Sequence, residues 1–172
     1  AKIPYGVGKI AQDMMGLQYY FSHDFHIIRA RAFNQFGPEQ RPSFVAPDFA
    51  LQIAKIEAGQ QDPIMKVGNL SAKRDFTDIR DTAKAYPLLM QHGKAGQAYN
   101  ICSNTAHSAQ DVLDTLLSFT NTQIDVQVDP NKLRPVDVPL VQGDYSRLHN
   151  LTGWQPQLSF EQTLRDLMVE CR

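Results

Sequence analysis

From Tyr5 to Phe21 apolar residues recur at Val7, Ala11, Met14, Met15 and Leu17, and the run that follows, Phe25 to Phe33, is β-branched and aromatic. The first spacing predicts a helix with one buried stripe, opened by Pro4, whose missing N–H costs nothing there. The second predicts a strand that runs into the turn chemistry of Asn34-Gln35-Phe36-Gly37-Pro38. A helix feeding a strand that ends in a polar loop is a site-forming arrangement in an α/β sheet, where ligands sit beyond the carboxyl ends of the strands.

The alternation continues along the chain. Gln40 to Ser43 reads as exposed loop, and Pro47 opens a helix with Phe49, Ala50, Ile53, Ala54 and Ile56 inward until Gly59 stops it. Ile64 to Val67 is a short strand and Gly68-Asn69-Leu70-Ser71 a turn. Arg74-Asp75-Phe76-Thr77 leads to Asp78, an N-cap for a helix carrying Ile79, Ala83, Tyr86, Leu89 and Met90; Pro87 should remove one of its hydrogen bonds and kink or shorten it. Gln97 to Ile101 and Ile124 to Val128 read as strands, and Ser108 with Asp111 as a capping box ahead of Val112, Leu113, Leu116 and Leu117. Lys132 to Pro139 is a Pro-rich surface loop. Asp144 caps a short helix through Leu148, and Ser159 caps the last helix, whose apolar face is Phe160, Leu164, Leu167 and Met168.

A chain of 172 residues can bury one sizeable core, and no repeat or long linker divides it. Seventeen basic residues against 18 acidic leave a net charge of −1, which argues against a nucleic-acid binder or a polybasic membrane binder. No apolar run approaches the roughly 18 residues of a membrane span and no signal-peptide pattern opens the sequence, so the expected location is cytoplasmic. Cys102 and Cys171 lack partners at ligand spacing and are expected as reduced thiols. His23 and His26, three apart and leading into the predicted strand, fall on opposite faces, so no metal site is expected.

Chemistry enters with Tyr5 and Lys9. Four apart on a helix, they share a face, and an ammonium beside a phenol favours the phenolate, which suits proton exchange with a ketone or alcohol. The plain alternative is an exposed helix start with a solvated Lys. Two loop arginines, Arg74 and Arg134, suit bidentate capture of a diphosphate from two directions, and Asp137, three residues past Arg134, suits ribose hydroxyls. The alternatives are an ion pair of Arg74 with Asp75 or Asp78 and a solvated Arg134. Asn34, at the strand end, is either a turn former or a ligand contact.

The order of these pieces resembles a known family. Tyr5-x-x-x-Lys9, Arg31-Ala32-Phe33-Asn34 with Gly37-Pro38, Arg74-Asp75-Phe76-Thr77-Asp78-Ile79-Arg80-Asp81, Tyr99-Asn100-Ile101-Cys102-Ser103, Arg134-Pro135-Val136-Asp137, Gly143-Asp144 and Thr152-Gly153-Trp154-Gln155-Pro156 resemble the C-terminal half of the extended short-chain dehydrogenases/reductases acting on nucleotide sugars, the epimerase/dehydratase family. Within it, Phe76-Thr77 after Arg74-Asp75, and Asp137-Val138-Pro139, lean toward the reductases that act on GDP-sugars. The resemblance implies an α/β fold: the C-terminal part of a Rossmann-like doubly wound fold plus a smaller α/β substrate-binding lobe, with the N-terminal nucleotide-binding half absent. Residues 1–40 would end the Rossmann-like part and 41–172 would be mostly substrate lobe with interleaved returning elements.

The implied reaction is reduction of the C4 ketone of a GDP-4-keto-6-deoxyhexose with NADP or NAD as cofactor. Tyr5 would be the proton donor and Lys9 its partner, both touching cofactor, with Ala32, Phe33 and Gln35 following the nicotinamide. Asn34, Val45, Arg74, Arg134 and Asp137 would bind the GDP-sugar. The alternatives are a 4,6-dehydratase or epimerase of the same family and, from another class, a non-catalytic nucleotide-sugar binder. No Gly-x-x-Gly-x-x-Gly phosphate loop occurs in the sequence. The expectation is therefore a piece of a longer enzyme, inactive alone. Met14, Met15, Leu17, Tyr19, Tyr20 and Phe21 form a cluster wider than one core stripe requires, from which a homodimer through the first helix is expected; a helix fully buried within its own chain is the alternative.

Overall fold

A computed structural model describes residues 4–133 and 138–172. The first helix, α1 (Pro4–His23), leads to two short strands in line, β1 (Arg29–Ala32) and β2 (Asn34–Phe36). Helix α2 (Val45–Glu57), strands β3 (Ile64–Val67) and β4 (Lys73–Asp78), and helix α3 (Ile79–His92) follow. Strands β5 (Ala98–Ile101) and β6 (Ala106–Ser108), helix α4 (Ala109–Leu117) and strand β7 (Asp125–Val128) come next. A 3-10 turn at Pro130–Lys132, strand β8 (Leu140–Val141) and helices α5 (Ser146–Thr152) and α6 (Phe160–Cys171) complete the order.

Pairing is mainly parallel, as helical crossovers require. Strand β1 runs beside β5, β3 beside β7, and β2 beside the second half of β4, all parallel. The first half of β4 pairs antiparallel with β6 and parallel with β8. The apolar faces meet in two clusters. One joins Phe49, Ile53, Met65, Val112, Leu116, Leu164 and Met168 from α2, β3, α4 and α6, with Phe36 and Phe76 from the sheet. The other joins Ala85, Leu89, Tyr99, Ile101 and Leu148 from α3, β5 and α5, with Trp154 just past the end of α5.

Local rules account for most element ends. Ser108 accepts from Asp111 N while Asp111 accepts from Ser108 N, the expected capping box. Ser159 caps α6 through Gln162 N and Asp78 caps α3 through Arg80 N. Helix α2 begins at Val45, so Pro47 lies inside its first turn, and Gly59 follows its end with φ of +67°, a conformation glycine adopts freely.

Several expectations are corrected. Helix α1 forms, yet none of its residues is fully buried; of the apolar residues that periodicity gathers on one stripe, Leu17 is half-buried and Val7, Ala11, Met14 and Met15 are exposed. The strand predicted over 25–33 begins only at Arg29, where β5 supplies a partner, so His23 ends α1 and His26 lies in the connection. Residues 73–78, read as a lead-in to a cap, are a strand. Pro87 does not shorten α3, which runs on to His92; Pro87 and Ala83 are both exposed, so the carbonyl left without its N–H faces solvent. Asp144 accepts from Ser146 N, but the N-cap is Tyr145 and α5 extends past Leu148 to Thr152. Both cysteines are free thiols, and burial pushes that of Cys102 up to about 12. No helix among the described residues is long and apolar enough to cross a membrane.

Candidate active site

Tyr5 and Lys9 stand one turn apart near the start of α1. Tyr5 is 72% exposed, and the Lys9 ammonium lies 5.7 Å from the centroid of its ring. The two side chains therefore meet, as their spacing requires. Lys9 Nζ also donates to Gln12 Oε1 at 3.3 Å.

One further turn along the same face, Asp13 fixes the helix to β1. Its carboxylate accepts from Arg29 Nη1 at 2.8 Å, and from Arg31 Nε at 2.9 Å and Nη2 at 2.8 Å. The Arg31 hydrogen bonds hold the Asp13 carboxyl below the usual carboxylate range, with Arg29 adding to the effect against the opposing pull of burial. At Gly16 the helix comes close enough that a Cβ would meet Ile27 Cγ2 at 3.4 Å.

Between α1 and β1 opens a cleft of about 970 Å³. Tyr5, Lys9 and Asp13 line one side, and Ala32, Phe33, Asn34 and Gln35 the other, with Gln40, Phe44 and Val141 among its further walls. The backbone changes partner here: Phe33 N donates to Ile101 O, while Asn34 already pairs with Phe76 of β4. Gln40 Nε2 donates to Gln35 O at 2.9 Å and steadies the strand end. A phenol and an ammonium thus face a strand end carrying an amide, an arrangement suited to passing a proton to a carbonyl oxygen held between them.

Tyr5, Lys9, Ala32, Phe33, Asn34 and Gln35 are brought together in this cleft. Val45 is not in its lining; it starts α2, half-buried against the first core cluster, next to Phe44. Arg74 lies on β4, two residues before the partner of Asn34 and opposite Val141. Its Nη1 donates to Lys73 O at 2.8 Å and Val138 O at 2.6 Å. Asp78 instead pairs with Arg80. Arg134 and Asp137 lie outside the described residues, and among the described residues no group of acidic, His or Cys side chains is arranged to hold a metal.

Sequence reasoning overlooked Asp13, Arg29 and Arg31. The signal was present: Asp13 is four residues past Lys9, and two arginines two apart on a strand share a face.

Known proteins resemble this chain over nearly its whole length. The family described as GDP-mannose 4,6 dehydratase matches residues 1–167. GDP-6-deoxy-D-mannose reductase of Pseudomonas aeruginosa is 34% identical over 167 residues, which are 97% of this chain and 55% of that protein. GDP-mannose 4,6 dehydratase 2 of Arabidopsis thaliana is 27% identical over 169 residues, 97% of this chain and 45% of its own length. The structure of RMD from Pseudomonas aeruginosa complexed with NADPH superposes with a TM-score of 0.91 at 33% identity, over 99% of this chain and 56% of the other. The chain spans about half the length of the curated relatives it matches. With the family pattern running from the helix of Tyr5 and Lys9 to the core of α6, the chain belongs to the GDP-mannose 4,6 dehydratase family of nucleotide-sugar enzymes.

Proposed function

We propose that the protein reduces the C4 ketone of a GDP-4-keto-6-deoxyhexose, using NADPH or NADH. The observation that carries this reading is the Tyr5–Lys9 pair facing the strand end Ala32–Gln35 across one cleft. The higher identity to a GDP-6-deoxy-D-mannose reductase than to a GDP-mannose 4,6 dehydratase supports reduction over dehydration. The described residues fit one end of such a cofactor, since the Tyr5 hydroxyl and the Lys9 ammonium are exposed at the cleft and offer hydrogen-bond donors to ribose hydroxyls. Bound there, the cofactor supplies hydride.

In this reading Tyr5 gives its hydroxyl proton to the C4 oxygen, and the Lys9 ammonium meets the negative charge left on the ring. Ala32, Phe33 and Gln35 shape the nicotinamide side of the cleft. Asn34 orients the sugar, Arg74 and Arg134 hold the diphosphate, Asp137 the ribose, and Val45 the nucleotide at the start of α2. The chain carries no Gly-x-x-Gly-x-x-Gly loop, so the activity is proposed for the whole protein and not for these 172 residues alone. The uncovered apolar face of α1, with Met14, Met15, Tyr19 and Phe21 exposed, supports a homodimer through this helix.

The test is turnover by the whole protein and by its Tyr5→Phe variant. Removing a general acid should lower kcat by about 10²- to 10⁴-fold while substrate affinity is kept. A variant with wild-type kcat would refute the assignment. Net consumption of NADPH with the 4-keto sugar separates a reductase from a dehydratase, which returns its hydride and consumes none.

A further inference from the structure

Asp75 stands apart from the groups used so far. It lies on β4 between Arg74 and Phe76, yet its side chain points to the opposite face and is fully buried. Its carboxylate accepts four hydrogen bonds. Oδ1 takes Ser103 N at 2.6 Å and Ser103 Oγ at 2.7 Å, and Oδ2 takes Asn104 N and Gly143 N, each at 3.1 Å. One side chain thereby joins β4, the loop after β5 and the segment after β8.

Asn104 extends the same hub. Its backbone is left-handed, with φ of +65°, its side-chain oxygen accepts from Tyr145 N at 2.9 Å, and its carbonyl accepts from Gln142 Nε2 at 2.7 Å. The segment so held reaches the cleft. A Cβ on Gly143 would lie 2.8 Å from Phe33 Cζ, and Val141, two residues earlier, lines the cleft and pairs with Arg74.

We infer that Asp75 is a positioning residue: by gripping Gly143 and Asn104 it sets Phe33 and Val141, one wall of the Tyr5 cleft, relative to the strand that carries Arg74. The inference rests on the reading above, in which Arg74 holds the diphosphate while the sugar reacts beside Phe33 and Asn34. A nucleotide sugar touching both places reads the distance between them, so an error of an ångström at the hub is felt as substrate misplacement.

Asp75→Asn in the whole protein tests this. It keeps the shape but replaces one acceptor oxygen with a donor, which then faces N–H groups that need an acceptor. Asp81→Asn is the control: Asp81 is equally buried and accepts from Gln157 N and Leu158 N at 2.7 and 2.8 Å, away from the cleft lining. With Asp75→Asn, amide exchange at Gly143 and Tyr145 should quicken by about tenfold or more, and KM for the GDP-sugar should rise about tenfold, with kcat within about threefold. With Asp81→Asn the melting temperature should fall while KM holds.

Unchanged exchange at Gly143 and Tyr145 in Asp75→Asn would overturn the hub. A KM increase no larger than that of Asp81→Asn would overturn the positioning role. A wild-type protein that turned over no GDP-sugar would overturn the reductase reading instead, and the exchange comparison would still decide whether Asp75 holds the cleft wall.

Discussion

Asp13 holds α1 in place, and Asp13→Asn is the perturbation that measures it. Of the large apolar side chains of α1 only Leu17 and Tyr20 are half-buried and none is fully buried, and in proteins most helical stability comes from tertiary contacts rather than from propensity. The contact with Arg29 has side-chain exposures of 13% and 17%, whereas Arg31 is 48% exposed. A charge-assisted hydrogen bond in the first setting contributes about 1.5–3 kcal/mol, and a half-exposed pair about 0–1 kcal/mol. Losing the carboxylate should therefore loosen α1 by about 2–3 kcal/mol, or about 30- to 150-fold in the opening equilibrium. Native-state amide exchange reads this directly along residues 8–20, against β3 and β7 as internal references. The Arg31 hydrogen bonds weigh more in lowering the Asp13 pKa, but solvent screens that half-exposed pair, so a double-mutant cycle should give Asp13 a coupling to Arg29 of about 2 kcal/mol and to Arg31 of less than about 1 kcal/mol. The pH dependence has a fixed sign. The Asp13 pKa is lowered in the folded state, so its contribution is complete above the unfolded value of about 3.9 and is lost as pH falls through the folded one. Protection of α1 that is unchanged in Asp13→Asn, or equal couplings to the two arginines, would refute this account.

Three further outcomes follow from the packing. Gly143→Ala places a Cβ 2.5 Å from Cys102 Sγ and 2.8 Å from Phe33 Cζ, and should cost about 1–3 kcal/mol in urea unfolding. Ser108→Ala removes the acceptor for Asp111 N and should cost about 1 kcal/mol, read as a lower urea midpoint at unchanged m-value. Burial opposes ionisation of Asp78, but Arg80 and the Thr163 hydroxyl outweigh it and hold its pKa down. Its stabilisation is thus complete above the unfolded value of about 3.9 and is lost as pH falls through the lowered folded one, and Thr163→Val should shift the acid unfolding midpoint upward.

What was legible in the sequence was local. Ile64–Val67, the Ser108–Asp111 box and the Ser159 cap follow from composition and spacing within a few residues, and the strand and both caps form as read. Tyr5 and Lys9 belong to the same class, because four residues on a helix fix their meeting. Strand β4 was hidden because its inward side chains include Asp75, Thr77 and Asp78, polar residues that resemble a loop until their partners are known. Those partners are remote: Ser103 lies 28 residues from Asp75, Gly143 lies 68, and Thr163 lies 85 from Asp78. The fate of α1 was hidden for another reason. Periodicity tells which residues share a face, but not what that face meets.

Phe33 is the single residue between β1 and β2, and the strands on either side of it answer to different sheets, one through Ile101 and the other through Phe76. The chain there passes from one sheet to the other within one residue. The core around α3 and α5 and the one around α2, α4 and α6 meet here, with Ala32 on one side and Asn34 on the other. Both residues line the cleft that Tyr5 faces, so the proposed site of reaction lies where the two cores join.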